Sequence, residues 1–302
     1  MDTLKDRVCI ITGAGRGIGR EHALLFAAEG AKVVVNDLGG APDGSGSDAT
    51  PGAEVVAEIR AAGGEAIANA DDVSTWEGAE RLVKQAIDTY GDLHVLVNNA
   101  GILRDRMLVN MSEAEWDAVI QVHLKGHFAP LRFAAAYWRD QFKAGVRVPR
   151  SVINTASTSG LFGQPGQTNY GSAKSGIATL SIIASAELGR YGIRVNAIAP
   201  AAATRLTSSL VDQTGEERDP DAWSPLDPSN VSPFVAYLAT ADCPINGRAF
   251  FVMGGEVHLF HPWRIVDSLS KDGTWTVEEL QEQAAGFQEF TFDYGHPLGP
   301  QA

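Results

Sequence analysis

Sulfur is scarce in this chain. Its 302 residues include two cysteines, Cys9 and Cys243, too few and too scattered for a disulfide framework or a zinc site. Positive charge is also in short supply: 24 Lys and Arg against 37 Asp and Glu leave a formal net charge of -13. Nucleic acid and anionic membrane surfaces select for basic patches, so neither is expected as the main partner. No apolar run is long enough to span a bilayer, no segment repeats, and no long linker divides the sequence. The polar start, MDTLKDR, and the last residues, GPQA, match no address signal, which leads us to expect a cytoplasmic protein. These absences leave a chain long enough to bury a full core, with small molecules or other proteins as its partners.

What is present is an alternation. Val8 to Ile11 is a short apolar run that stops at Thr12-Gly13, the pattern of a buried parallel strand feeding a tight turn. A helix from about Gly17 to Glu29 follows, capped by Gly30, and a second apolar strand, Lys32 to Val35, ends at Asn36-Asp37. The loop Leu38 to Gly52, rich in Gly, Ser, Pro and Asp, has no periodicity and belongs on the surface. Helices are then expected over Ala53–Ala62, Trp76–Tyr90, Ser112–Phe142 and Thr168–Arg190, and strands over Glu65–Asn69, His94–Asn98, Ser151–Asn154 and Arg194–Ile198. Beyond Pro200 the pattern loosens. Thr204 to Asn230 is polar and interrupted by Pro, Val231–Thr240 reads as a helix, Ala249–Val252 as a last strand, and Thr276-x-x-Glu279 as a helix start in the tail. Strands and helices alternating at this spacing predict an α/β fold with a doubly wound, Rossmann-type parallel sheet. We expect one domain over residues 1–255 and a C-terminal extension over 256–302.

Two stretches carry chemistry. The first turn, Thr12-Gly13-Ala14-Gly15-Arg16-Gly17-Ile18-Gly19, follows a strand and opens a helix, the context in which glycines admit a pyrophosphate to a helix N-terminus. Asp37 closes the second strand, where a carboxylate bonds adenosine ribose hydroxyls and repels a 2′-phosphate, which favours NAD. Arg16 pulls the other way, either as a partner for a 2′-phosphate or as a solvated residue at the helix start. The second stretch, Ser157 to Lys174, joins a hydroxyl, a phenol and an ammonium. Tyr170 and Lys174 are four apart and share a helix face, so the ammonium is expected to favour the phenolate and make it a usable base. A turn containing Gly160, Gly163 and Gly166 folds Ser157 back toward the same substrate oxygen.

Taken together, these residues resemble the short-chain dehydrogenases/reductases over roughly residues 7 to 255. The matching motifs are TGAGRGIG at Thr12–Gly19, Asp72-Val73, NNAG at Asn98–Gly101, Ser157 with Tyr170-x-x-x-Lys174, and Pro200 with Thr204. Within that family NDLGG with its long loop, NNAGILRDR and HLKG resemble the (3R)-hydroxyacyl-CoA dehydrogenase domain of multifunctional β-oxidation enzymes. The resemblance implies that Asp72 and Val73 flank an adenine, that Asn99, Ala100 and Gly101 support the inner ribose, and that Thr204 lies near the carboxamide or pyrophosphate. It implies no metal, and association into a homodimer or homotetramer through Ser112–Phe142 and Thr168–Arg190. Two departures stand out. His123 replaces the Asn most members carry, and is either part of a proton relay or a core histidine; Ala201 replaces a Gly after the proline.

The reaction so implied is NAD-dependent oxidation of a secondary alcohol, with Tyr170 as base, Ser157 orienting the oxygen and Lys174 gripping the ribose. The expected substrate is a 3-hydroxyacyl-CoA from lipid metabolism, with a fatty-acyl or steroid-derived chain. A free steroid alcohol and a non-catalytic NAD-binding scaffold are the rivals. Substrate choice is expected to reside in Leu103–Met107, Leu161–Gly166, Thr204–Asn230 and the tail. The tail, with His258, His261, Arg264 and Lys271 among apolar residues, reads equally as a phosphate site or as an arm covering a neighbouring subunit.

Overall fold

The computed structural model describes residues 2–204 and 223–289. Its chain divides into two compact units, Met1–Phe260 and His261–Ala302. In the first, β1 (Val8–Thr12), β2 (Lys32–Asn36), β3 (Glu65–Asn69), β4 (Val95–Asn98), β5 (Arg150–Thr155), β6 (Ile193–Pro200) and β7 (Ala249–Met253) form a parallel sheet, and β8 (Glu256–Leu259) joins it antiparallel at the edge of β7. The strand order is 3-2-1-4-5-6-7-8, so chain direction across the sheet reverses between β1 and β4. The expected doubly wound sheet is present.

Strands β1, β2 and β4 read as unbroken runs of Val, Ile and Leu because both of their faces are covered. On one face Ile11, Val33 and Val35 pack with Phe26 of α1 (Gly17–Ala28), Val55 and Ile59 of α2 (Thr50–Ala61), and Val235 and Leu238 of a helix at Ser232–Ala239. On the other, Ile10, Val34 and Leu96 pack with Leu82 of α3 (Trp76–Tyr90) and Trp138 of α5 (Gly126–Lys143). Trp138 is buried, and its indole N–H donates to Leu93 O at 2.7 Å, so the largest side chain of that layer leaves no polar atom unpaired. Each large apolar side chain so buried contributes about 1.5–3 kcal/mol.

Four elements differ from expectation. The helix expected over Ser112–Phe142 is three segments: α4 (Glu113–Ile120), a π-turn (Gln121–Lys125) and α5; Ser112 caps the first in a capping box with Glu115. The loop after Asp37 is shorter than read, because α2 begins at Thr50, with Pro51 in its first turn where a missing N–H costs nothing. The glycine-containing turn after Ser157 begins as a one-turn helix, α6 (Thr158–Phe162). Glu256–Leu259, read as part of the extension, is a strand of the sheet. Residues 205–222, most of the polar segment after Thr204, and 290–302 of the tail lie outside the described residues.

Candidate active site

The sheet reverses direction between β1 and β4, and the turns that leave those strands are locked together there. Thr12, at the end of β1, accepts the backbone N–H groups of Asn99 (2.9 Å) and Ala100 (3.1 Å) on its Oγ1. The Asn99 side-chain amide donates back to Thr12 O at 3.0 Å. Two of the glycines serve this closure. Gly13 has φ +64°, and a Cβ there would lie 2.8 Å from Ala100 Cα; a Cβ at Gly19 would lie 2.2 Å from Gly13 O. Gly17, at φ +53°, has nothing nearer than the Thr204 side chain at 3.4 Å. Arg16 is the N-cap of α1 without a side-chain cap, and Ile18 packs against the core. An uncapped helix N-terminus beside glycines fits the pyrophosphate of a dinucleotide.

Asp37 stands at the tip of β2 beside that turn. Its Oδ2 accepts Gly15 N–H at 2.6 Å and its Oδ1 accepts Gly39 N–H at 2.6 Å. Arg16 has an acidic neighbour: the Asp48 carboxyl is held below its ordinary value by hydrogen bonds from Thr50, and the charge of Arg16 adds to the effect. Asp72 and Val73 follow β3. The Asp72 carboxylate accepts Ser74 N–H at 2.9 Å, and the Val73 side chain sits in the core. Pro200 ends β6, and Ala201 N–H donates to Val252 O at 3.0 Å, which ties the segment leading to Thr204 to β7.

The second cluster lies at the same ends of the strands. Ser157 follows β5 as the N-cap of α6, its Oγ accepting Ser159 N–H at 3.2 Å. Helix α6 lies tight against α7 (Thr168–Leu188), because a Cβ at Gly160 would come 2.5 Å from Ser175 N. That contact sets α6, with Ser157 at its start, against the first turns of α7, where Tyr170 lies. Lys174 is buried, its Nζ 2.5 Å from Thr155 O and 5.4 Å from the centre of the Tyr170 ring. Burial pushes the Tyr170 phenol up to about 12, with the Ser157 hydrogen bond pulling it back. Burial lowers the Lys174 ammonium to about 7. Lys174 is not among the causes of the Tyr170 shift, in which burial outweighs the pull of Ser157.

His123 lies in the π-turn, fully enclosed, with its ring edge-on to Tyr170 at 5.0 Å. Its Nε2 faces both Ile102 O (2.8 Å) and Ile102 N (3.1 Å), while Nδ1 is buried without a partner. Burial first, and the charge of Lys174 second, hold this imidazole well below its ordinary value, so it is neutral. A Cβ at Gly101 would meet its Cε1 at 2.4 Å, which explains the glycine of NNAG.

Asn98 was read from sequence as part of NNAG, but the polar residues it works with, Asn154 and Ser181, and the buried His127 and Asn169 were not singled out. Asn98 Nδ2 donates to Asn154 Oδ1 (2.9 Å), and Asn154 Nδ2 donates to Ser181 Oγ (2.9 Å), so a buried amide ladder fixes β4, β5 and α7 in register. His127, four residues after His123, is also buried and neutral. Asn169, fully buried, is another. The only sequence sign of these is a polar residue at a position the helix or strand pattern assigns to the interior.

A glycine-built turn at the sheet's reversal, a carboxylate on the next strand and a Ser, Tyr and Lys cluster at the same strand ends define the class: an oxidoreductase of the Rossmann type. The chain belongs to the short-chain dehydrogenases, whose family model, described as short chain dehydrogenase, matches residues 7–215. Members of that family use a nicotinamide dinucleotide and act on small molecules. The chain is 45% identical over 287 residues to the hydroxyacyl-CoA dehydrogenase ChsB1 of Mycobacterium tuberculosis, covering 92% of this chain and 87% of that one. It superposes on a crystal structure of a short chain dehydrogenase from Mycobacterium avium with TM-score 0.85, 48% identity and coverage of 95% and 96%. It also superposes on the full-length peroxisomal multifunctional enzyme type 2 of Drosophila melanogaster with TM-score 0.70 and 35% identity, covering 92% of this chain and 44% of that enzyme. Among the described residues, no helix is long and apolar enough to cross a membrane.

Proposed function

We propose that this chain oxidises the secondary alcohol of a 3-hydroxyacyl-CoA thioester, fatty-acyl or steroid-derived, with NAD as cofactor. The observation that supports it most is the convergence on the Tyr170 phenol of Ser157, which pulls its pKa down, and the buried Lys174, whose Nζ lies 5.4 Å from the ring centre. Thr12, Gly13, Gly15, Gly17, Gly19 and the N-terminus of α1 would hold the pyrophosphate, Asp37 the adenosine ribose, and Lys174 the ribose nearer the chemistry. When bound, NAD supplies the hydride acceptor and ribose hydroxyls that an ammonium can donate to. Ser157 donates to the substrate oxygen and fixes it beside the phenol. Tyr170 takes the hydroxyl proton as the carbon gives up hydride, so the alcohol loses one proton and one hydride and becomes a ketone. A charged Lys174 under the ring lowers the cost of the phenolate, and the neutral His123 walls the phenol from solvent and is the candidate for passing its proton onward.

Asp37, bonded to the turn and to Gly39, supports NAD over NADP, and Asp48 beside Arg16 lessens what that cation offers a 2′-phosphate. The relatives support the thioester. A screen of NAD reduction across 3-hydroxyacyl-CoA thioesters and free hydroxysteroids tests the proposal: turnover with thioesters is expected, and turnover with free steroids alone would transfer the assignment to a hydroxysteroid dehydrogenase. No turnover with either class would favour the NAD-binding scaffold. We also propose self-association through the α4–α5 and α7 faces, supported by the exposed Phe128, Ile182 and Ile183. Sedimentation equilibrium checks it, and a monomer would contradict it.

A further inference from the structure

Beside the catalytic tyrosine stands an amide that nothing above uses. Asn169, in the first turn of α7, is 0% exposed, and its side chain makes three hydrogen bonds, all to backbone. Nδ2 donates to Arg104 O (2.9 Å) and to Glu115 O (3.1 Å), and Oδ1 accepts the N–H of Tyr170 at 2.8 Å. The first N–H groups of a helix have no partner within it, and Gln167, the N-cap of α7, contributes no side-chain cap. The donor that Asn169 satisfies is therefore Tyr170's own, and the chain at Tyr170 is held from the side rather than from within its helix.

The two carbonyls at the other end of this amide are themselves fixed. Glu115 is locked by the Ser112 capping box at the start of α4. Arg104 belongs to the segment after NNAG, which the loop following Asp37 grips: Leu103 N–H donates to Pro42 O at 3.0 Å, and Arg104 Nε donates to Asp43 O at 2.7 Å. Hydrogen bonds thus run without a break from the loop at the adenosine-ribose carboxylate, through Arg104 and Asn169, to the backbone of Tyr170. This gives physical sense to two sequence features that have no obvious connection, the long loop after NDLGG and the LRDR that follows NNAG.

We infer that Asn169 is a positioning residue, which sets where Tyr170 stands relative to Ser157 and the cofactor turn, with the 38–48 loop bracing it through Arg104. Catalytic geometry tolerates little displacement, and a shift of about 1 Å costs on the order of a hundredfold in rate. Releasing Tyr170 N–H and both carbonyls moves the base without touching the residues that would bind dinucleotide.

The inference rests on Tyr170 being the base, so the test carries its own reference. NADH formation from racemic 3-hydroxydecanoyl-CoA and NAD binding by calorimetry are measured for wild type, Asn169→Ala, Tyr170→Phe and the double variant. Asn169→Ala is expected to lower kcat about a hundredfold, to change the NAD dissociation constant less than about twofold, and to cost nothing more in the Tyr170→Phe background, because residues acting through one group are not additive. A kcat within about tenfold of wild type overturns the inference, as does an equal loss in both backgrounds, which marks a purely structural brace. Wild-type-like activity of Tyr170→Phe instead refutes the assignment of the base, whatever Asn169 does. Should Asn169→Ala not fold, Asn169→Asp, which keeps the volume and the acceptor for Tyr170 N–H, is scored by the same criteria. Failure of both to fold overturns the inference, since the side chain is then needed by the fold itself.

Discussion

Burial pushes the Tyr170 phenol up to about 12 and brings the Lys174 ammonium down to about 7, so the fold works against the charged form of both groups that the proposed reaction needs charged. The consequence for Lys174 can be measured without substrate. Unfolded, a lysine titrates near 10.4, so between about pH 7 and about pH 10 the unfolded chain holds a proton that the folded chain lacks, and stability rises with pH. The slope is at most ~1.4 kcal/mol per pH unit for one group, and below about pH 7 both states are protonated and the cost of burial stays constant. Urea titrations at a series of pH values are expected to show wild type gaining stability on Lys174→Met as pH rises through that window; a constant difference would mean that Lys174 is charged throughout. Asp37 admits a test of another kind. Its carboxylate is the nearest negative charge to the Gly-rich turn, so Asp37→Ala is expected to lower the kcat/KM ratio of NAD over NADP by more than about tenfold, like charges brought together costing several kcal/mol. A ratio unmoved by the substitution would reduce Asp37 to a brace for Gly15 and Gly39.

At the level of elements, the sequence was most legible where one strong pattern acts alone. The apolar runs of β1, β2 and β4 end at Thr12, Asn36 and Asn98, and the capping boxes at Ser112 and Thr276 form as their spacing predicts. It was least legible where a local exception serves the site. The π-turn at Gln121–Lys125 inserts its wider turn into a helix whose apolar spacing stays nearly regular, so periodicity does not show it, yet that turn places His123 against Tyr170. Helix α6 is five residues long and contains Gly160, which reads as a breaker but is there for close approach. Gly160→Ala would drive a Cβ into backbone atoms, 2.5 Å from Ser175 N and 2.7 Å from Lys174 C. We expect a cost of about 1–3 kcal/mol in stability and a larger proportional loss of kcat, because α6 carries Ser157. Unchanged kcat in a destabilised variant would separate α6 from catalysis. Asn169 is illegible in the sequence for a related reason: its contacts are with carbonyls 65 and 54 residues away in the chain, which no local pattern encodes.

Across the first unit, the two halves of the Rossmann-type sheet meet at the β1–β4 pair, and the glycine-rich turn, Asp37, Asp72, Asn99 and Ser157 all follow the C-terminal ends of its strands. The strand Glu256–Leu259 moves the natural cutting point for removing the tail from Gly255 to Phe260, since a cut at Gly255 strips an edge strand from β7. In the second unit, Lys271 is paired with Glu279 at 2.5 Å, while in the first His258 is bonded to Glu256 at 2.8 Å, so two of the four cations read as a phosphate site already have carboxylate partners. That weakens the phosphate reading of the tail and leaves recognition of the thioester to be measured directly. The most direct measurement compares kcat/KM for 3-hydroxydecanoyl-CoA with that for free 3-hydroxydecanoic acid, NAD saturating, in wild type and Tyr170→Phe. The thioester is expected to exceed the free acid by at least about a hundredfold, or about 2.7 kcal/mol of transition-state binding, and Tyr170→Phe to lose turnover by orders of magnitude. Equal use of acid and thioester, or a Tyr170→Phe variant retaining a tenth or more of wild-type kcat, would contradict the account.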